Sequence, residues 1–344
     1  MKFELENIVR KNILSLVPYS SARDEFSGAS GVFLDANENP FGELNRYPDP
    51  YQKSLKQKLA ILKKVDTKNV FIGNGSDEVI DLVYRIFCNP KTDKALTFSP
   101  TYGMYDVSAA INDVKLTKIP LSKEFQIDRS KMDNYLVDST YKVLFLCSPN
   151  NPTGNLINEN DIEYLLHKFR GIVIIDEAYI DFSASTSWIN RIERYSNLIV
   201  SQTFSKAWGL AGARVGVAYA SKEIIQLMNR VKPPYNVSEL NQKAAINALD
   251  DFDTFQNNIN VILKEKEQLI EALNQLNLIV KIYPSEANFL LVEVINANAI
   301  YAELVAQKII TRNRNNVINN CIRISIGTPE ENEKLLNGLK NINR

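Results

Sequence analysis

Between residues 68 and 220, short apolar runs alternate with stretches of helical periodicity. The runs span residues 70–72, 95–98, 143–146, 172–175, 198–200 and 215–218. One helical stretch, 78–87, repeats its apolar residues at a spacing that places them on one face: Val79, Leu82, Val83 and Ile86. Apolar runs of this length, separated by helices, are typical of strands buried on both faces of a mostly parallel sheet. The pattern predicts a large α/β domain.

The pattern changes after about residue 236. A long helical stretch is followed by strand-like runs at 279–282 and 288–292, a helix near 298–308 and a further strand-like run at 321–326. This order indicates a smaller α+β domain. The stretch 311–320, which holds five Asn and two Arg, is predicted to be a loop. The expected division is an N-terminal arm at 1–35, a large domain at 36–240 and a small domain at 241–344.

Charge and composition exclude several function classes. The 344 residues hold 40 Lys plus Arg and 40 Asp plus Glu. A chain without net charge lacks the basic excess that drives binding to nucleic acid or anionic lipid. No apolar run is long enough to cross a membrane, and no signal peptide is expected at the N-terminus.

Cysteine and histidine are scarce. Three cysteines without a CxxC pair indicate a reducing, cytoplasmic compartment and no structural metal site. The single histidine, His167, is predicted to be a helix residue near the surface.

Polar residues follow several of the predicted strands, where ligands bind in open α/β sheets. The first group, 73–78, combines a Gly-rich turn with a helix start, which suits a phosphate held by backbone N–H groups. Its plainer interpretation is a helix capped by Ser76. The segment lacks the third Gly of a dinucleotide fingerprint, and the chain has no P-loop motif, so a nucleotide site is only weakly indicated.

Three further groups carry reactive or charged side chains. Asn151 lies in a rigid Pro-rich turn after one run, and Asp176 ends the next run, where a carboxylate needs a cationic partner. Lys206 lies among apolar neighbours that would lower its pKa and make it a nucleophile. The plainer alternatives are an ordinary loop, a helix N-cap and a surface lysine.

Two arginines complete the set. Arg214 lies eight residues beyond Lys206 and offers a fork of donors that suits a phosphate. Arg323 lies inside an apolar strand and must pair with an anion, either a structural carboxylate or a substrate. An amine, a buried carboxylate, a phosphate cradle and groups for a ring hydroxyl together match the aldehyde, ring nitrogen, phosphate and hydroxyl of pyridoxal phosphate.

The chain resembles the fold-type I pyridoxal-phosphate aminotransferases, and within them most closely the histidinol-phosphate aminotransferase branch. The similarity extends from about residue 16 to 330. The matching segments are NENP at 37–40, RYPD at 46–49, GNGSDE at 73–78, PTYGMY at 100–105, SPNNPTG at 148–154, DEAY at 176–179, 203–216, 232–238 and 321–328. The resemblance implies a large domain with a mostly parallel central sheet and a smaller α+β domain.

The resemblance also implies roles around the cofactor. Lys206 is similar to the lysine that forms the Schiff base, and Asp176 to the partner of the pyridinium nitrogen. Tyr179 and Asn151 match the pair that binds the ring hydroxyl, and Tyr102 the residue that stacks on the ring. The positions similar to those around the cofactor phosphate are Ser76, Asp77, Thr203, Ser205 and Arg214.

Further roles are implied on the substrate side. Tyr47 resembles the tyrosine that reaches the phosphate from a second subunit, which implies a homodimer. Tyr19 and Asn37 match substrate-side positions. Arg323 matches the arginine that binds the substrate anion, and Arg312 is a candidate second arginine. The shortness of the loop before Cys321 leaves the contributions of Arg312 and Arg314 open.

The implied reaction converts L-histidinol phosphate and 2-oxoglutarate to imidazole acetol phosphate and L-glutamate, within histidine biosynthesis. An aromatic-amino-acid aminotransferase and a threonine-phosphate decarboxylase share nearly all the motifs and remain alternatives. A nucleotide-binding oxidoreductase could use 73–78, but the missing third Gly and the Lys206 segment count against it. A non-catalytic binding module would not need a buried lysine beside strand-end acids.

Overall fold

The strands of the large domain form one seven-stranded sheet. A computed structural model of the protein describes residues 4–19 and 31–342. The strands are β1 Val70–Asn74, β2 Lys94–Ser99, β3 Lys115–Pro120, β4 Tyr141–Cys147, β5 Ile172–Asp176, β6 Leu198–Thr203 and β7 Val215–Ala220. Their spatial order is β1-β7-β6-β5-β4-β2-β3. Every neighbouring pair is parallel except the two that involve β7. The predicted α/β class with a mostly parallel sheet is confirmed.

Each of the six predicted runs lies within a strand of this sheet, but β3 was not predicted. Its sequence, KLTKIP, places lysines among the apolar residues, and only Ile119 is buried. The reason is its position: in the sheet formed by the described residues, β3 is an edge strand with a pairing partner on one side only.

Helices cover both faces of the sheet. In chain order the α-helices among the described residues are α1 Lys11–Leu14, α2 Lys53–Lys63, α3 Ser76–Phe87, α4 Met104–Ile111, α5 Asp133–Val137, α6 Glu159–Lys168, α7 Lys222–Val231, α8 Glu239–Asp250, α9 Phe252–Leu273, α10 Ala297–Ala306 and α11 Pro329–Ile342. One face packs against α3, α4 and α7, and the other against α2, α6 and α8. The alternating faces of each strand therefore enter two separate cores.

A second sheet belongs to the C-terminal part of the chain. Its strands are β8 Ile279–Ile282, β9 Phe289–Val294, β10 Arg312–Asn313 and β11 Cys321–Ser325. They pair antiparallel in the order β10-β11-β9-β8, and α9, α10 and α11 pack on one face. The prediction of a loop over 311–320 is wrong at its start, because Arg312 and Asn313 pair with β11.

The domain boundaries of the sequence analysis remain predictions. In the described part of the arm, Val9 and Ile13 are buried in the core beneath α3 and α7. Residues of α8 pack in the core of the large sheet, where Ala245 is fully buried. This packing favours a boundary near Asp251 rather than at residue 240.

Several further features concern the described residues only. Within 4–19 and 31–342, no helix is long and apolar enough to span a membrane. The same residues contain no group of His, Cys, Asp and Glu that could hold a metal ion. The three cysteines are buried and unpaired. His167 is an exposed residue of α6, with its ring edge-to-face against Tyr195.

Candidate active site

The central strands of the large sheet end at one edge, and polar side chains gather there. Asp176 is the last residue of β5 and Thr203 the last of β6, while Asn151 follows β4. Arg214 directly precedes β7, which runs in the opposite direction and starts at the same edge. The sheet topology therefore brings together residues that are up to 63 positions apart in sequence.

Asp176 is almost completely buried and is held at both carboxylate oxygens. The Tyr105 hydroxyl donates to Oδ2 at 2.8 Å, and the Ala178 N–H donates to Oδ1 at 3.2 Å. Desolvation raises the pKa of Asp176 to about 6, against the lowering effect of these two hydrogen bonds. Tyr105 was not among the predicted site residues.

Tyr105 is fully buried, and its neighbours fix its position. Its ring stacks on Phe145, with centroids 4.8 Å apart, and Tyr102 meets it edge-to-face at 5.6 Å. The signal for Tyr105 was present in PTYGMY, which contains two tyrosines three residues apart. Residues at this spacing share a face near a helix start, although nothing local indicates that one of them binds Asp176.

The neighbouring carboxylate, Glu177, is directed away from Asp176. Its oxygens accept hydrogen bonds from the Ser187 hydroxyl, the Trp188 N–H at 2.7 Å and the Gln202 amide at 2.9 Å. Burial raises the pKa of Glu177 to about 7. All three donors belong to the surrounding scaffold, so this carboxylate is a structural anchor rather than part of the site.

The Gly-rich turn after β1 forms a cradle against the start of β7. Gly75 has φ +76°, and a Cβ on it would lie 2.7 Å from Nη2 of Arg214. A Cβ on Gly216 would lie 2.2 Å from the Ser76 backbone nitrogen. Only glycine allows the turn, the N-terminus of α3 and the guanidinium to approach so closely. The cradle presents backbone N–H groups and a cation, which is the chemistry that binds a phosphate.

Arg214 is linked to both sides of this cradle. Its Nη2 lies 3.3 Å from the Asp77 carboxylate, and its Nη1 lies 3.4 Å from the Ser205 hydroxyl. The Tyr102 hydroxyl donates to Asp77 at 3.2 Å. Asp77 therefore orients the arginine and the tyrosine. Thr203 lies behind them, buried, with its hydroxyl accepting from the Ser205 N–H at 3.1 Å.

Lys206 lies at the opening of this group and is exposed, so the expectation of a buried lysine is wrong. The apolar neighbours Phe204 and Ala207 are buried, while Lys206 itself extends toward solvent. Its pKa is nevertheless lowered, first by partial desolvation and then by the positive charge of Arg323. Its Nζ lies 5.6 Å from the ring centroid of Tyr179.

A chain of hydrogen bonds connects the large sheet with the small one. The Asn151 amide donates to the Tyr179 hydroxyl at 3.1 Å, and Nη1 of Arg323 donates to the Asn151 Oδ1 at 2.5 Å. Arg323 also lies over the ring of Phe289, 5.2 Å from its centroid. Among the described residues no carboxylate lies within 4 Å of Arg323, and its Nε is buried without a partner.

Two further arginines lie close to Arg323. Arg312 is directly opposite it in the pairing of β10 with β11. Arg314 is half-buried, and its pKa is lowered by desolvation, by Arg323 and by Arg312. The short loop before Cys321 gives no indication of what either arginine contacts, whereas the pairing of β10 with β11 brings both to the same region. In the part of the chain that the structure describes, none of these three guanidinium groups forms an ion pair, and together they favour binding of an anion.

Three predicted residues lie away from the Lys206 group. Tyr47 stacks on Tyr235 with centroids 4.5 Å apart, and Asn37 lines the adjoining cavity of about 430 Å³. Tyr19 lines a neighbouring cleft that also includes Tyr235. Tyr19, Asn37 and Tyr47 are all exposed. Within one chain, eleven predicted site residues lie at the strand ends or on β11, and Arg312 lies beside them. The three residues Tyr19, Asn37 and Tyr47 lie elsewhere.

Comparisons with known proteins identify relatives over almost the whole chain. Residues 29–339 match the family model described as aminotransferase class I and II. Histidinol-phosphate aminotransferase of Parabacteroides distasonis is 51% identical over 342 residues, covering 98% of this chain and 99% of that protein. The enzyme of the same name from Christiangramia forsetii is 49% identical over 345 residues, covering 99% and 98%.

A solved structure agrees with these matches. The histidinol-phosphate aminotransferase of Clostridium acetobutylicum superposes with a TM-score of 0.80 at 28% identity. The superposition covers 87% of this chain and 91% of that one.

Proposed function

Because the chain belongs to the aminotransferase class I and II family, we propose that it transfers the amino group of L-histidinol phosphate to 2-oxoglutarate. The products are imidazole acetol phosphate and L-glutamate, a step of histidine biosynthesis. The observation that carries the proposal is the convergence of Asp176, Arg214 and Arg323 around Lys206, in a chain about half identical to relatives of that name.

The residues at the strand ends fit pyridoxal phosphate as the cofactor. The glycine cradle and Arg214 would hold its phosphate, and Asp176 its ring nitrogen. Tyr179 and Asn151 would hold the ring hydroxyl, and the Lys206 amine would attach to the aldehyde. The bound cofactor supplies a ring that withdraws electrons from the substrate carbon.

Lys206 is proposed as the group that moves the proton. Its lowered pKa increases the fraction of neutral amine at neutral pH, which is the form able to accept a proton at Nζ. The exposure of the side chain leaves Nζ accessible to a substrate entering from solvent. The positive charge of Arg323 makes return of the proton easier, because it disfavours the ammonium form.

Asp176 is proposed to stabilise positive charge on the ring nitrogen. Its carboxylate is buried and fixed by Tyr105 and Ala178, so no reorganisation is needed when a cation approaches. Its pKa of about 6 keeps it mainly anionic at neutral pH. Tyr105 thus acts as a positioning residue for Asp176.

Arg323 is proposed to bind the anionic group of each substrate. The phosphate of one substrate and the carboxylate of the other both suit a planar guanidinium, and the neighbouring Arg312 and Arg314 add positive charge. Asn151 binds Nη1, and Nε, which has no hydrogen-bond partner among the described residues, is left for the ligand.

A transamination panel tests the substrate. Purified protein with pyridoxal phosphate is assayed with histidinol phosphate, phenylalanine and O-phosphothreonine, each with 2-oxoglutarate, and both glutamate and carbon dioxide are measured. We expect the highest kcat/KM with histidinol phosphate and no carbon dioxide. A preference for phenylalanine would assign the chain to an aromatic aminotransferase, and carbon dioxide from phosphothreonine to a decarboxylase.

We further propose a homodimer whose two subunits share each site. Several large apolar residues near Tyr47 are exposed, among them Val32, Leu34 and Phe41 at 89%, 88% and 81%. Exposed apolar surface of this kind is typical of an interface. Association of two chains would cover it and could bring Tyr47, Asn37 and Tyr19 to the partner's Lys206. The three unpaired thiols fit a cytoplasmic location.

Hybrid dimers test the shared site. Tyr47→Phe subunits are mixed with Lys206→Ala subunits after each variant alone has been shown to be impaired. If Tyr47 acts across the interface, one site of each hybrid keeps both native residues, and activity rises well above that of either parent. Subunit exchange without any gain in activity would argue that Tyr47 does not serve the partner's site.

A further inference from the structure

A cleft of about 440 Å³ lies at the edge of the large sheet opposite to Lys206. It opens between the start of α2, the short 3₁₀ helix Thr67–Asn69 that precedes β1, and α7, which follows β7. β1 begins and β7 ends at this edge, whereas the Lys206 group lies where β4, β5 and β6 end. The cleft is therefore separate from the proposed active site.

The lining of the cleft is strongly basic. Four lysines contribute to it, Lys53, Lys56, Lys68 and Lys222, and its other polar groups are amides and hydroxyls. No carboxylate from residues 4–19 or 31–342 lines it. Four positive charges around one cavity repel each other and are most stable with an anion between them.

Lys56 differs from the other three because it is buried. Only 8% of the residue is exposed, and among the described residues its ammonium has neither a hydrogen-bond acceptor nor an ion-pair partner. Desolvation and the nearby charge of Lys232 lower its pKa to about 8. The stem of Lys56 is thus buried while the residue still lines the cleft, and its Nζ is not among the atoms buried without a partner. An anion in the cleft would stabilise the charged form of this largely desolvated lysine.

Asp49 interacts electrostatically with Lys56, and Asp66 with Lys68 and Lys222, but both carboxylates are engaged by other donors. Asp49 accepts the backbone N–H groups of Tyr51 and Lys53 at 2.9 and 2.7 Å. Asp66 accepts the N–H of Lys68 at 2.8 Å and the hydroxyl of Thr67 at 3.3 Å. Both reduce the local positive charge, but neither forms an ion pair with Lys56.

We propose that this cleft binds a phosphate group, either free phosphate or a small phosphomonoester, through Lys56 and the three exposed lysines. Such a ligand would connect α2 with α7 and would supply the anionic partner that Lys56 lacks. Binding to the folded chain would stabilise it in proportion to the logarithm of ligand concentration.

Thermal unfolding of the full chain, saturated with pyridoxal phosphate, tests the proposal. The midpoint is followed during titration with sodium phosphate, and separately with glycerol 3-phosphate, against sodium chloride of equal ionic strength. Wild type and Lys56→Arg, which keeps the charge, are expected to show a saturable rise. Lys56→Met is expected to bind at least about tenfold more weakly, because it loses a charge-assisted contact. Lys64→Met, at the exposed far end of α2, is the control and should match wild type.

The two ligands separate the sources of the phosphate group, since tighter binding of the ester favours a metabolite and tighter binding of the free ion favours phosphate itself. Activity without added phosphate should be unchanged in Lys56→Met. An equal response of Lys56→Met and wild type, or an equal effect of sodium chloride, would overturn the proposal. If Lys56→Met does not fold, the exposed double variant Lys68→Met/Lys222→Met carries the same expectation of weaker phosphate binding.

Discussion

Asp176 and Glu177 are consecutive carboxylates on opposite sides of the large sheet, and they differ in the groups that donate hydrogen bonds to them. Both are buried, and burial raises both pKa values, to about 6 and about 7. Glu177 is surrounded by three donors of the scaffold, whereas Asp176 is held by Tyr105 and Ala178 and lies beside the Lys206 group. Burial and a raised pKa alone therefore do not identify a functional acid. The identity of the surrounding groups distinguishes the two.

The largest effect is expected for Lys206→Ala. This change removes the amine proposed to hold the cofactor and to move the proton, so kcat/KM should fall by at least about 10⁴-fold. The fold should persist because Lys206 is exposed. Borohydride treatment followed by mass spectrometry should attach cofactor to wild type but not to the variant. Lys91→Ala, at an exposed lysine, is the control, and retained turnover in Lys206→Ala would refute the assignment.

Asp176→Asn and Glu177→Gln, assayed side by side, test whether Asp176 acts in the reaction while Glu177 only stabilises the fold. An amide cannot stabilise positive charge on the ring nitrogen, so Asp176→Asn should lose roughly 10²–10³-fold in kcat/KM. Glu177→Gln should stay within about threefold of wild type, since its carboxylate only anchors the scaffold. Steady-state kinetics at pH 8 measure both. Equal losses in the two variants would mean that Asp176 and Glu177 do not differ in function.

A smaller effect is expected at Arg323, on the small sheet. Arg323→Lys keeps the charge but loses the planar fork, so kcat/KM should fall by about ten- to a hundredfold for both histidinol phosphate and 2-oxoglutarate. The melting temperature and the affinity for the cofactor should change little. Loss of stability with unchanged kcat/KM for both substrates would instead make Arg323 a structural cation.

Much of the fold could be predicted because its signals are local. Runs of three or four residues identify the central strands, which are buried on both faces. The edge strand β3 lacks such a run, and β10 has only two polar residues, so their pairing depends on neighbours distant in sequence. Tertiary contacts likewise determine that Arg312 lies opposite Arg323.

Some residues of the candidate site can be predicted from the local sequence, and others only from tertiary contacts. Asp176 and Lys206 stand out in sequence because polar residues directly follow apolar runs. Tyr105 does not, because its role depends on a hydrogen bond to a residue 71 positions away. The exposure of a side chain also cannot be predicted from its neighbours in sequence. Phe204 and Ala207 are buried, but Lys206 itself extends into the opening of the site. Local context therefore indicates residue chemistry better than it indicates accessibility or partners.

Glu177→Gln is expected to have the smallest effect on activity. Its main effect is expected on the pH dependence of the free energy of unfolding. Its pKa of about 7 in the folded chain lies above the ordinary value of 4.5, so the folded state binds the proton more tightly than the unfolded state. The resulting stabilisation is complete below about pH 4.5 and is lost as pH rises through about 7. Glu177→Gln resembles the protonated acid at every pH and lacks this dependence.

Between pH 5 and 8 the free energy of unfolding of wild type should therefore fall relative to that of Glu177→Gln, by on the order of 1–3 kcal/mol. Urea denaturation at several pH values measures the difference. Asp176→Asn is the matched control: the pKa of Asp176 is also raised, so its variant should show the same direction with a smaller amplitude, together with the activity loss that Glu177→Gln lacks. A difference between wild type and Glu177→Gln that does not change with pH would mean that Glu177 keeps the same charge in the folded and unfolded chain, and the contrast between the two sides of the sheet would then lie in hydrogen bonding alone.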